Sequence, residues 1–208
     1  MALLRRMSLI VWDNVENLRL TVHLQVDFNV PLDSDKKVTN TQRIAGAVPT
    51  IKYAIDHGAK AVILMSHLGR PDGKVQEKYS LKAVVPDLEK LLGKKVEMAP
   101  DCVGPEVEAI VNKASDGQVV LLENLRFHIE EEGSAKNADG TKTKAEKEKV
   151  AEFRKGLTAL GDIYISGFSG NAAKIVANES QTMLLEPHIE LTAPLSVSIC
   201  HRRLPVSS

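Results

Sequence analysis

Apolar residues along the chain fall into five short runs separated by longer amphipathic segments. The first run, "LRLTVHLQV" (18–26), is rich in β-favouring residues and is broken soon after by Pro31. "AKAVILMSH" (59–67) is apolar almost throughout, as a strand buried on both faces should be. "KKVEMAP" (94–100) is weaker, "GQVVLLENL" (117–125) strong, and "DIYIS" (162–166) short. Between them the periodicity changes from two to nearly four. "RIAGAVPTIKYAIDHG" (43–58) puts Ile44, Ala47, Val48, Ile51 and Ile55 on one helical face and stops at Gly58, although Pro49 interrupts it. Helices are also predicted over 80–93, from Ser80 to Gly93, and over 104–114, with Pro105 at the first turn and acids behind it. A fourth is predicted over 144–160. The polar stretch 129–143 reads as a long solvated loop. Strand and helix alternating in this way predict an α/β fold with a mainly parallel sheet.

Composition narrows the function classes. The chain has 208 residues, 43% hydrophobic and 26% charged, the balance of an ordinary soluble globular protein. Twenty-seven basic residues against 27 acidic ones remove the electrostatic case for nucleic acid. No run approaches the roughly 18 apolar residues a membrane span requires. The apolar stretch from Met7 to Trp12 is too short for a signal-peptide core, so a cytoplasmic protein is expected. Cys102 and Cys200 have neither disulfide-scaffold nor metal-knuckle spacing and read as isolated thiols.

Open parallel sheets bind ligands beyond the carboxyl ends of their strands. The first strand is followed there by Asp27 and Asn29, with Arg43 opening the next helix. "SHLGRPDG" after the second carries Ser66, His67 and Arg70, and "ENLRFH" after the fourth carries Asn124, Arg126 and His128. Each of these alone has an ordinary explanation as a surface, capping or core residue. Their repetition at equivalent places points instead to a hollow for a small, multiply charged anion such as a phosphorylated acid. Clustered guanidinium groups repel one another unless an anion lies between them, and their planar forks suit phosphate and carboxylate. No GxxxxGK[ST] loop, no GxGxxG after a strand and no HExxH motif occurs, so neither a nucleotide site nor a metal site is expected within the chain.

The motifs "VDFNVPL" (26–32), "QRI" (42–44), "SHLGRPDG" (66–73), "EKYSL" (77–81), "DCVGPEVE" (101–108) and "LLENLRFHIEEEG" (121–133) resemble the N-terminal, substrate-binding half of phosphoglycerate kinase, in that family's order. The resemblance runs from about residue 24 to about 165. It implies a three-layer Rossmann-like α/β domain, incomplete relative to the family. It also implies the reversible glycolytic transfer of a phosphoryl group from ATP to 3-phosphoglycerate, giving 1,3-bisphosphoglycerate. By resemblance Asp27, Asn29, Arg43, His67, Arg70 and Arg126 surround 3-phosphoglycerate, and Arg43 stabilises the phosphoryl group in flight. Val26, Phe28, Gln42, Ser66, Gly69 and Leu125 match neighbouring substrate-contact positions. The resemblance further implies a cytoplasmic monomer with no nucleic-acid or membrane partner. Mg-ATP or Mg-ADP serves the full family enzyme, from a lobe outside this chain.

Three departures set further expectations. The family's "RVDFNVP" carries arginine where this chain has Gln25. After the fifth strand the family continues roughly "NDAFGTAHRAHSS", whereas this chain reads "SGFSGNAAKIVAN", with Ala173 for a histidine and Lys174 as a weak substitute for an arginine. The glycines and serines of "GDIYISGFSGNAAK" (161–174) form neither a G-x-S-x-G elbow nor a phosphate loop. Residues 1–169 are therefore expected to form the phosphoglycerate kinase N-terminal domain and 170–208 a divergent tail, with the second lobe missing. Two readings stay open: an enzyme by descent that retains the acid-binding half, or a non-catalytic truncated, frameshifted or mis-spliced product.

Overall fold

A computed structural model describes residues 20–136 and 140–166. Five parallel strands form its sheet: β1 (Thr21–Gln25), β2 (Ala61–Met65), β3 (Val96–Met98), β4 (Gln118–Leu121) and, last among the described residues, β7 (Ile163–Ser166). Their order across the sheet is β3-β4-β2-β1-β7. β2 packs with Ala61 to Met65 wholly buried, which accounts for its unbroken apolar run. The helices α1 (Gln42–Asp56), α2 (Val85–Leu92), α3 (Pro105–Lys113) and α5 (Lys147–Ala159) make the crossovers.

Alternation along the strands produces two separate cores. Val22, Leu24, Val62, Leu64, Val119 and Leu121 face Ile44 and Ile51 of α1 and Leu88 and Leu92 of α2. Ala61, Ile63, Met65 and Val120 face Val107 and Val111 of α3 and Phe153 and Leu157 of α5. The domain is thus a three-layer α/β sandwich: the α/β class with a parallel sheet expected from the strand-helix alternation, in the Rossmann-like form that the family resemblance implies. Pro49 sits inside α1 without ending it. Its exposed position lets water satisfy the carbonyl one turn earlier that proline cannot bond.

Differences from the pattern are local. The 80–93 segment begins as a 3₁₀ turn over Leu81–Val84 before the α-helix, because Glu123 accepts from both Ser80 Oγ (2.7 Å) and Leu81 N (2.8 Å) and pins its start. The stretch read as a solvated loop holds a short helix, α4 (Ile129–Glu132), and an antiparallel hairpin of β5 (Ser134–Lys136) with β6 (Lys142–Lys144). Ala135 is buried while Lys136, Lys142 and Lys144 point outward, a one-apolar-residue anchor that polar composition conceals. No helix of the described residues is long and apolar enough to cross a membrane.

Candidate functional site

The polar strand ends meet because β1, β2 and β4 are neighbours in register, so the loops leaving them emerge side by side. Ser66 ties the first two together. Its hydroxyl accepts from Phe28 N at 2.9 Å and donates to Val26 O at 2.8 Å, and all three residues are buried. Leu125 N donates to Ser66 O at 3.1 Å, which brings in the loop after β4. The side chains of Val26, Phe28, Ser66 and Leu125 are therefore buried beneath the loops and help hold them together.

Asn124 completes the frame. It is fully buried; Oδ1 accepts from Leu68 N (3.2 Å) and Arg126 N (3.1 Å), while Nδ2 donates to Leu68 O (2.7 Å) and Tyr79 O (2.9 Å). One side chain thus binds three chain segments through four hydrogen bonds.

Above this frame lie the charged and polar groups. Asp27 Oδ2 pairs with Arg43 Nη1 at 2.8 Å, and the same nitrogen donates to Asn29 O at 3.0 Å. Asp27 Oδ1 accepts from Asn29 N at 3.1 Å, and Asn29 Oδ1 accepts from Gly69 N at 3.0 Å. Gly69 O in turn accepts from Arg126 Nη1 at 2.9 Å. The result is a continuous chain from Arg43 through Asp27, Asn29 and Gly69 to Arg126. Gly69 has φ +62°, and a Cβ there would lie 2.5 Å from the Tyr79 ring, so the turn admits only glycine.

His67 lies within this field. Burial, followed by the positive charge of Arg126, holds its imidazole down at about 4, and Arg43 adds to the effect against the pull of Asp27. It is neutral at pH 7, able to donate or accept one hydrogen bond but adding no charge. Gln42 and Arg70 are exposed, and Arg43 is half-exposed, with 51% of its side chain accessible. Lys174 lies outside the described residues, as do Ala173, the glycine-serine turn after β7 and Cys200.

Sequence reasoning passed over Glu132 and Glu131 of α4. Glu132 Oε1 lies 3.2 Å from Arg126 Nε. Glu131 turns its carboxylate inward, with Oε2 buried and lacking a partner, and burial pushes its carboxyl up to about 7 despite Arg126 nearby. Their acidic run looks like solvated surface in one dimension; its position straight after Arg126 was the available signal. Gln25, which stands where an arginine was expected, accepts through Oε1 from Tyr164 OH at 2.8 Å.

Asp101, Cys102 and His128 present ligand atoms within 4.8 Å of one another. They are engaged with their neighbours: His128 Nε2 meets Asp101 Oδ1 at 2.6 Å and Cys102 Sγ meets Glu123 O at 3.0 Å. Burial holds the thiol well above its ordinary range. The candidate site itself offers guanidinium, imidazole and amide groups, with Asp27 committed to Arg43. That donor set does not fit magnesium, which takes oxygen ligands, or a nucleotide cradle built of backbone N–H groups.

Residues 13–179 match the family model for phosphoglycerate kinase. The chain is 74% identical over 151 residues to phosphoglycerate kinase of Neurospora crassa and 73% identical to that of Hypocrea rufa. In each case the match covers 73% of this chain and 36% of the relative, so the chain spans about a third of the length of the relatives it matches. Among solved structures, phosphoglycerate kinase from Pyrococcus horikoshii OT3 is similar with a TM-score of 0.61 at 28% identity, covering 76% of this chain and 38% of that one. Phosphoglycerate kinase from Coxiella burnetii gives a TM-score of 0.55 at 29% identity, covering 76% and 36%.

Proposed function

The chain belongs to the phosphoglycerate kinase family, and on that premise we propose that its polar strand edge binds 3-phosphoglycerate or 1,3-bisphosphoglycerate. The supporting observation is the connected array Arg43–Asp27–Asn29–Gly69–Arg126 with a neutral His67 in its field. Two guanidinium groups with unspent N–H donors favour phosphate and carboxylate, the two anionic ends of that acid. Asp27, Asn29, His67, Arg70 and Arg126 anchor the acid, with Gln42 and Gly69 beside them. Val26, Phe28, Ser66 and Leu125 hold the loops in place, and Lys174 is the remaining, weaker contact proposed. Arg43, tethered but half-exposed, stabilises the charge of the phosphoryl group in transfer, where positioning and electrostatics supply most of the catalysis.

In this reading the acid-binding domain occupies residues 1–169, and the protein is a cytoplasmic monomer of glycolysis. Its second substrate is the magnesium nucleotide of the family reaction, for which the described residues show no fitting donors. Titration calorimetry of the 208-residue chain with 3-phosphoglycerate tests the binding. Wild-type heat with binding that weakens but stays measurable in Arg126→Ala supports it, and no heat from a folded wild-type sample overturns it.

A second reading, binding without turnover, is favoured by Gln25, whose neutral amide is engaged by Tyr164 where the family carries a charge. An ATP-coupled assay separates the two.

A further inference from the structure

Arg126 is held from two sides. Its Nη1 donates to Gly69 O at 2.9 Å, and its Nε faces Glu132 Oε1 at 3.2 Å. The Arg126 side chain is 26% exposed and that of Glu132 31% exposed, so the pair lies at the mouth of the site rather than in free solvent. A guanidinium carries five N–H donors in a rigid plane. Nη1 is hydrogen-bonded to Gly69 O and Nε is ion-paired with Glu132, which leaves both Nη2 hydrogens and the second on Nη1 along the outer edge of the fork. Two contacts at different nitrogens fix the plane, whereas one would leave it free to swing about its bond.

Glu132 is placed for this by local structure. It is the last residue of α4, and Gly133 follows in the left-handed conformation, φ +73°, donating back to Ile129 O at 2.9 Å. Gly133 O accepts from Ala145 N at 2.9 Å, so the β5–β6 hairpin closes against the helix end. The segment between Arg126 and the hairpin is thereby fixed at both ends.

We infer that Glu132 is a positioning residue: its carboxylate orients the Arg126 guanidinium so that the outer edge of the fork meets the anionic ligand. The inference rests on the acid-binding reading above. It carries an opposite alternative, that Glu132 competes with the ligand for Arg126. In that case removing the carboxylate would tighten binding.

The experiment is titration calorimetry of the full chain with 3-phosphoglycerate, using wild type, Glu132→Ala, Glu132→Gln, Arg126→Ala and the Glu132→Ala/Arg126→Ala pair. Positioning predicts about tenfold weaker binding in Glu132→Ala, the scale on which a displaced contact group loses effect. It predicts partial rescue in Glu132→Gln, which keeps an oxygen beside Nε but not its charge, and no further loss from Glu132→Ala once Arg126 is alanine. A structural role would weaken both backgrounds alike. As a ligand-free readout, the Arg126 Nε resonance is expected to shift in Glu132→Ala, where the neighbouring carboxylate is gone. Wild-type binding that is unchanged or tightened in Glu132→Ala overturns the inference alone. Absence of any wild-type binding overturns the acid-binding reading, and this inference with it.

Discussion

The Asp27 carboxylate lies 2.8 Å from the Arg43 guanidinium, joining the loop after β1 to the second residue of α1. Half of the Arg43 side chain is exposed, so the pair contributes little to stability and much to where the guanidinium stands. Asp27→Asn is expected to change unfolding free energy by less than about 1 kcal/mol. It should nevertheless weaken binding of 3-phosphoglycerate severalfold, because Arg43 loses its tether. Urea unfolding and calorimetry on the same sample test both halves.

Asn124→Ala should act in the reverse manner. It removes four hydrogen bonds from a fully buried site and leaves Leu68 N, Leu68 O and Tyr79 O without that partner. A loss of about 2–3 kcal/mol is expected, since unsatisfied buried groups cost more than a mean hydrogen bond contributes. The denaturation midpoint should fall at unchanged slope.

Gly69→Ala combines two penalties, the positive φ and a Cβ 2.5 Å from the Tyr79 ring. Destabilisation of about 1–3 kcal/mol is expected from the backbone conformation and overpacking together. In the Gly69→Ala/Tyr79→Ala pair the clash disappears but the φ strain remains, so the effects should be less than additive in melting experiments.

Acid should destabilise the domain through its histidines. His23 is completely buried and held at about 4 by burial, and His67 is also near 4. An unfolded histidine takes its proton near 6.5, so from about pH 6.5 down to 4 the unfolded chain binds more protons and stability falls. For His23 the full loss is about 3 kcal/mol, reached below pH 4. Replacing it by Gln should flatten that limb of a stability-versus-pH curve, and an unchanged limb would contradict the assignment.

Glu131 has the opposite sign. Burial raises its carboxyl to about 7, so the folded state holds a proton that the unfolded state releases near 4.5. Its stabilising contribution is complete below pH 4.5 and is lost as pH rises through 7. Glu131→Gln should therefore raise stability relative to wild type by about 3 kcal/mol well above pH 7, and by little at pH 4. Between pH 4.5 and 6.5 the two opposing slopes overlap, and only the single variants separate them.

The helices were legible because each is long enough to show its period, and the strands because their apolar runs alternate with them, most clearly β2, which is apolar on both faces as a central parallel strand must be. The β5–β6 hairpin was not, since its burial rests on Ala135 within an otherwise polar stretch. The starts of α2 and α5 shifted inward for similar reasons: Glu123 pins a 3₁₀ turn ahead of one, and β6 occupies the residues ahead of the other. Of the site, Asp27, Asn29, Arg43, His67 and Arg126 could be named from their places after strands. That Ser66 and Leu125 act as framework could not, because burial is a property of neighbours.

By itself the sequence determined the fold class and the strand edge at which charged and polar residues gather. Those follow from periodicity, from strand-end position and from residue type, all of which are local. The tertiary structure alone decided which charges are paired. It set Asp27 against Arg43, Glu132 against Arg126, and a neutral His67 among them. These relations depend on distances between loops far apart in the chain and on the exclusion of water around them, and both exist only once the sheet has brought β1, β2 and β4 together.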